Sequence, residues 1–214
     1  TCGDVADACG VCGGDGTSCD GTLLVPSEYS TIQLAIDAAS EGDSVLVLAG
    51  TYYENIIWPE TNGIKLICSS EDDCIIDGNE LASVIRFEED LGGIIDASTL
   101  ITGFTIQNGS TSYGGGMYLR NSSPTLTDVT FSGNTADNYG GGMYLRNSSS
   151  TLAGVTFSGN TASSGGGMYI SYSSSTLTDV TFHSNTAVAS GGGLQAGYSN
   201  IQITRSDFLF NSVN

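Results

Sequence analysis

Residues 124–149 read PTLTDVTFSGNTADNYGGGMYLRNSS, and this stretch decides the fold. Its large apolar residues fall in three short groups: Leu126, then Val129 and Phe131, then Met143 and Leu145. Polar residues alternate with them, which is the period of a strand and not of a helix. The stretch also recurs. Phe131, Phe157, Phe182 and Phe208 lie 26, 25 and 26 residues apart, and Asn134, Asn160, Asn185 and Asn211 keep the same steps, as do glycine triplets ending at Gly116, Gly142, Gly167 and Gly193. A unit of about 25 residues cannot bury its own apolar face and must stack on its neighbours to build a continuous core. Three short strands per unit, with no helix-period segment between them, predict an all-β chain folded as a parallel β-helix. Each inward Phe then lies about 4.8 Å above its equivalent, and the Asn amides form a hydrogen-bonded ladder at a turn.

The stretch extends outward in both directions. FSGN at 131–134, FSGN at 157–160, FHSN at 182–185 and FLFN at 208–211, each joined to GGGM or GGGL, resemble the FxxN and GG-apolar repeats of polymorphic outer-membrane proteins and related pectin-lyase-like chains. TIQLAIDAASEGDSVLVLAGTYYENI, at 31–56, is similar to the entry coil of that superfamily. The resemblance implies a right-handed parallel β-helix over most of residues 22–214. It implies no single activity, because the superfamily holds lyases, hydrolases, adhesins and inert scaffolds.

Ahead of the coils, Ser30 is the expected helix cap, with Gln33 answering it three residues later. Ile32, Ala35, Ile36 and Ala39 share one face, and Gly42 is the expected stop. This helix, Ser30 to Ala39, is read as a cap on the first coil. Residues 1–21 have almost no large apolar side chains and need disulfides or a metal for order. Their CGVCGGDG run resembles a cysteine motif of extracellular modular proteins, including the cysteine-rich regions of certain secreted metalloproteases. The chain thus divides into a cysteine-rich segment (1–21), a cap with the first coils (22–97) and regular repeats (98–214).

The cysteines form two tight clusters in sequence: Cys2, Cys9, Cys12 and Cys19, and the pair Cys68 and Cys74. An even count in this pattern points to disulfides made outside a reducing cytosol, hence to secretion or a cell surface. Cys68 is expected to pair with Cys74, and the first four among themselves in one of three ways. The chain begins at Thr1 and is read as a processed or excised one. No apolar run reaches the roughly 20 residues needed to span a bilayer, so membrane insertion is not expected.

Twenty-three acidic side chains against five basic ones give a net charge of −18. Nucleic acid and anionic membranes are therefore poor partners. The charge is uneven: residues 1–96 hold 19 acids against Lys65 and Arg86, whereas 97–214 hold four against Arg120, Arg146 and Arg205.

No reactive constellation stands out. Asp128 and Asp179 occupy equivalent positions two coils apart, about 9.6 Å, at turns rather than in a cleft. The resemblance implies that uronate lyases use an Arg or Lys base beside acidic calcium ligands, and no acidic cluster accompanies Arg120, Arg146 or Arg205 in sequence. The runs Glu71, Asp72, Asp73 and Glu88, Glu89, Asp90 are the candidate calcium loops. His183 replaces Ser132, Ser158 and Leu209 at its position and has no second histidine to form a metal site. No catalytic residue is expected, calcium at these acidic loops is the one candidate cofactor, and the chain is read as a non-enzyme.

Binding faces are more promising. With Met117, Leu119, Met143, Leu145, Met168 and Ile170 inward, Tyr118, Tyr144 and Tyr169 point outward in one column beside Arg120 and Arg146. This column is the candidate glycan or protein contact, and Tyr144→Ala is expected to weaken binding without unfolding the chain. Thr125, Thr127, Thr151, Ala153, Thr176 and Thr178 form a second array, of the kind found on ice-binding solenoids. Sequons at Asn108, Asn121 and Asn147 mark exposed turns. Phe208, Phe210 and Asn211 lie on the last coil and are the candidate assembly end, which predicts head-to-tail association into a filament. The expectation is an extracellular structural or adhesive solenoid. Its alternatives are a carbohydrate-binding or polysaccharide-degrading protein and, less favoured, an ice-binding one.

Overall fold

The computed structural model describes residues 21–70, 74–87 and 95–214. Their strands form four sheets of eight, five, six and seven strands, and every pairing is parallel between successive coils. The three strands expected in each coil are present, for example Thr125–Thr127, Thr130–Ser132 and Met143–Arg146. A fourth short strand, Thr135–Tyr139, lies between the last two. It buries only Ala136, stacked on Ala162 and Ala187, so it leaves no alternation of large side chains in the sequence.

This fourth strand also explains the uneven 26, 25, 26 spacing. Thr135–Tyr139 and Thr186–Ser190 have five residues where Thr161–Ser164 has four. The extra residue is absorbed as a bulge between Ala136 and Tyr139, so the ladders on either side stay in register.

Inside the coils, like stacks on like. Phe131, Phe157 and Phe182 are fully buried, with ring centroids 4.9 Å apart, and Phe208 continues the stack at 4.7 Å. Ile106 and Ile76 occupy the same column in earlier coils. On the opposite wall Met117, Met143 and Met168 are fully buried as predicted, and so are Leu119, Leu145 and Ile170. The Asn ladder has the expected form with an added contact. Asn160 Nδ2 donates to Asn185 Oδ1 at 2.9 Å and to the Phe131 carbonyl at 3.0 Å, while Asn160 Oδ1 accepts from the Asn134 backbone N–H at 3.0 Å.

The glycine triplets serve two needs. Gly140, at φ 68°, makes the turn that non-glycine residues resist. Gly142 is required by close approach, since a Cβ there would lie 2.6 Å from the Gly167 carbonyl oxygen and 2.7 Å from Phe157 Cδ1.

The cap helix spans Ile32–Ala38, and Ile32, Ala35 and Ile36 are buried against the first coil. Its cap is Thr31, not Ser30: the Thr31 hydroxyl accepts from the Leu34 N–H, and Glu54 accepts from the N–H groups of Ile32 and Gln33 at 2.9 Å. Gln33 does not complete a capping box. Its side-chain amide instead pairs with Ile57, accepting from the Ile57 N–H at 2.8 Å and donating to the Ile57 carbonyl at 2.9 Å. It thereby occupies hydrogen-bonding positions along strand Ile56–Trp58, where a further strand would otherwise add. The helix ends at Ala39, in extended backbone, ahead of Gly42.

Cys68 and Cys74 form the predicted disulfide, with their Cα atoms 5.8 Å apart. The pairing expected among Cys2, Cys9, Cys12 and Cys19 lies outside the described residues. So do the candidate calcium runs Glu71–Asp73 and Glu88–Asp90.

Candidate functional site

Parallel pairing sets the outer surface as firmly as the core. Tyr118, Tyr144 and Tyr169 are in register on successive coils, with Arg86 below them and Gln195 above. The Tyr118 and Tyr144 rings stack at 5.4 Å, and those of Tyr144 and Tyr169 at 5.7 Å. The Arg86 guanidinium sits over the Tyr118 ring, 4.7 Å from its centroid, completing the column with a cation–π contact. Arg120 and Arg146 form the parallel column two residues on.

Outward does not mean exposed here. Tyr118 and Tyr144 retain only 8% and 6% of their accessible surface, because further rings cover them. Tyr113 and Tyr139 flank the column, with centroids 5.5 and 6.5 Å from Tyr144, and Tyr139 stacks on Tyr169 at 4.5 Å. Tyr144 therefore touches four rings, and Tyr144→Ala disturbs packing as well as surface, contrary to the sequence expectation. On the far side of the arginine column, Tyr172 and Tyr198 stack at 5.0 Å.

These rings and guanidinium groups enclose a groove of about 560 Å³ lined by Arg86, Arg120 and Arg146 together with Tyr113, Tyr118, Tyr139 and Tyr144. It continues into a hollow of about 270 Å³ that shares Tyr139, Tyr144 and Arg146 and adds Tyr169, Tyr172 and Tyr198. Seven of the chain's ten tyrosines and three of its five cationic side chains thus meet on one strip of a strongly acidic protein. Among the described residues no carboxylate lines either hollow. Burial and the neighbouring Tyr139 and Tyr144 push the Tyr169 phenol above its usual range, against the pull of Arg146.

Sequence reasoning found the middle column and missed its walls. The signal was present, since Tyr113 and Tyr139, and Tyr172 and Tyr198, are each 26 residues apart. Tyr172 and Tyr198 occupy the turn position held by Asn121 and Asn147 in earlier coils, and all four have positive φ, between 51° and 55°. Asparagine tolerates that conformation, whereas a bulky aromatic there is an outlier.

The remaining candidates are placed as follows. Asp179 is bound by Arg205 through two contacts of 2.7 Å, a single acid paired with this arginine. Asp128 is an exposed turn residue with φ 51°. His183 lies between Ser158 and Leu209 in register and meets the Phe210 ring edge-on at 5.5 Å. Thr125, Thr151 and Thr176 form one column, and Thr127, Ala153 and Thr178 form the next. Asn121 and Asn147 are exposed, but Asn108 is not a free turn residue: its amide donates to the buried Asp77 at 2.8 Å. Bonds from Gln107, Asn108 and the Asn79 N–H outweigh the burial of Asp77 and hold its carboxyl below the usual range.

Among the described residues no three or more metal-ligating side chains cluster, and no helix is long and apolar enough to cross a membrane. Neither the curated proteins nor the solved structures include a match to the chain. The family described as the right-handed beta helix region matches residues 49–208, well over half of the sequence and all of the regular coils up to Phe208. With parallel coils, the FxxN ladder and this match in hand, the chain belongs to the right-handed β-helix family, within the pectin-lyase-like superfamily.

Proposed function

We propose that the chain is an extracellular structural and adhesive solenoid, a stiff rod whose adhesive surface is the tyrosine–arginine strip. One observation carries this reading: five successive coils, from Arg86 to Tyr198, supply the strip at the spacing of the core ladders. The repetition that builds the interior also builds a continuous outer face. The Cys68–Cys74 disulfide supports an oxidising location. The described lining holds no carboxylate pair of the kind glycoside hydrolysis uses, which favours binding over hydrolysis.

An array of immobilised glycans and extracellular-matrix proteins tests the adhesive reading. The wild-type chain is expected to be retained on a subset of spots. The triple variant Tyr113→Ser, Tyr139→Ser, Arg146→Ser, altered at partly exposed positions, is expected to lose that retention while keeping its β-sheet circular dichroism. Retention that survives the triple substitution, or none by the wild type, contradicts it.

A second property is supported by the charge distribution. We propose that copies of the chain associate head to tail, so that the acidic half of one meets the nearly neutral half of the next, whereas head-to-head contact sets two acidic halves against each other. Sedimentation velocity is expected to show concentration-dependent association that strengthens with salt, as self-repulsion is screened. A single species at all concentrations and salts contradicts it.

A further inference from the structure

We infer that Asn147 is the N-glycosylation site of the folded chain, and that its glycan stands over the middle of the tyrosine–arginine strip. The covering of the strip rests on its reading as the adhesive surface; the modification itself does not.

Three asparagines lie in the acceptor pattern: Asn108-Gly109-Ser110, Asn121-Ser122-Ser123 and Asn147-Ser148-Ser149. In a secretory route the donor is a lipid diphosphate oligosaccharide and the catalyst a membrane oligosaccharyl transferase. The asparagine Nδ2 attacks the anomeric carbon, a C–N bond forms and the C–O bond to phosphate breaks. The amide gives up one of its two protons to solvent and the lipid diphosphate leaves. Transfer takes place on the unfolded segment, so the fold selects which modified chains survive.

Asn147 suits the modification. It is exposed, at a left-handed turn of φ 52° just after the strand Met143–Arg146. The turn is fixed from inside: the Asn147 N–H donates to the Ser171 carbonyl at 3.1 Å, and the buried Ser148 donates its N–H to Ser173 Oγ at 3.0 Å. Among the described residues the Asn147 side chain meets only Asn121, through an exposed bond of 3.3 Å from its Nδ2 to Asn121 Oδ1. A glycosylated amide keeps one N–H, so that bond survives.

The other two sequons fit less well. Pro124 follows Ser123 directly, and a residue ahead of proline resists the turn that brings the serine hydroxyl back to the asparagine amide. Asn108 is half-buried between coils, with its Nδ2 donating to the buried Asp77 at 2.8 Å and its Oδ1 facing Gly133 of the next coil. A sugar on that nitrogen takes the place of Asp77 and strips its carboxylate of a donor.

Placement gives the glycan its effect. Arg146, the neighbour of Asn147, lines both the groove and the adjoining hollow, so it marks their junction. In the next two coils the turn position of Asn147 is held by Tyr172 and Tyr198, whose rings form the wall of that hollow. A bulky, hydrated chain tethered at this rim obstructs access from the middle of the strip outward.

The test is site mapping. The chain is secreted from insect cells behind a cleavable signal, and glycans are released from the folded product by peptide N-glycosidase in heavy-oxygen water, which marks each occupied asparagine for mass spectrometry. Asn147 is expected to be occupied more fully than Asn121 or Asn108. A bare Asn147, or higher occupancy at either other sequon, overturns the inference. Ser149→Ala breaks the sequon and leaves Asn147 in its turn. From insect cells this variant is expected to lose the glycan and to be retained on the array several-fold more strongly than the glycosylated chain. From bacteria, which add no such glycan, the two chains are expected to be retained alike. Equal retention of the two insect-cell products overturns the covering role. Retention of no chain at all removes the adhesive reading and leaves the modification to stand or fall on the map.

Discussion

Replacing Asn160 by alanine is expected to lower the free energy of unfolding by about 3 to 5 kcal/mol, because it strips hydrogen-bond partners from several buried groups at about 1 to 3 kcal/mol each. The Asn134 N–H loses its acceptor at 3.0 Å, the Asn134 amide loses the acceptor shared at 3.1 Å, and the Phe131 carbonyl loses a donor at 3.0 Å. No water reaches the site to replace them, since Asn134, Asn160 and Asn185 are all fully buried. Asn160→Asp is expected to be no milder: it keeps an acceptor but removes the donor to Phe131 and places a charge in the interior. Urea unfolding followed by circular dichroism measures both, with exposed Thr151→Ala as the control, expected to stay within about 0.5 kcal/mol of wild type. A loss under about 1 kcal/mol for Asn160→Ala, smaller than a single such orphaned group costs, contradicts the ladder as a source of stability.

The second large effect separates the two uses of glycine. Gly142→Ala is expected to cost about 3 kcal/mol or more, because its Cβ meets the Gly167 carbonyl oxygen at 2.6 Å and the Phe157 ring at 2.7 Å. Neither neighbour is the free end of a flexible side chain, so the coil spacing itself has to open. Gly159 provides the contrast. Its φ is 64° and no atom lies within 4 Å of an added Cβ. Gly159→Ala is thus expected to cost only the left-handed backbone penalty of about 1 to 2 kcal/mol, and Gly159→Asn less. Parallel denaturation curves decide this, and a Gly142→Ala variant as stable as Gly159→Ala contradicts the close-approach explanation.

Where side chains repeat and are large, the sequence was legible. Phe131, Asn134 and Met143 have equivalents at fixed steps, so the coil, the inward faces and the two ladders followed from spacing. The disulfide followed from Cys68 and Cys74 being the only pair within reach of each other outside the first segment. The fourth strand was hidden because what it buries is small: Ala136, then Ala162 and Ser164, then Ala187. Thr31 and Ser30 were indistinguishable as caps, because Glu54, more than twenty residues away, fixes where the helix begins.

The strip was half legible for a related reason. Alternation tells which way Tyr144 points but not what lies over it, and the covering Tyr113 and Tyr139 come from a neighbouring strand whose pattern is weak. Tyr172 and Tyr198 stand at turns, where the strand period carries no information. Their spacing was visible, but only the fold places them beside Arg146. The earlier coils were also harder to read, since Ile76 and Ile106 fill the column that phenylalanine marks later.

The most direct test of the adhesive strip is a nitration footprint. Tetranitromethane modifies accessible phenols, and Tyr53, 71% exposed and outside both hollows, is an internal control in the same molecule. The chain is nitrated alone and again when saturated with whichever ligand the array retains, and each tyrosine is quantified by mass spectrometry. The account predicts that Tyr139, Tyr172 and Tyr198 lose reactivity on binding while Tyr53 keeps it. Unchanged nitration of those three tyrosines in a saturated complex contradicts it.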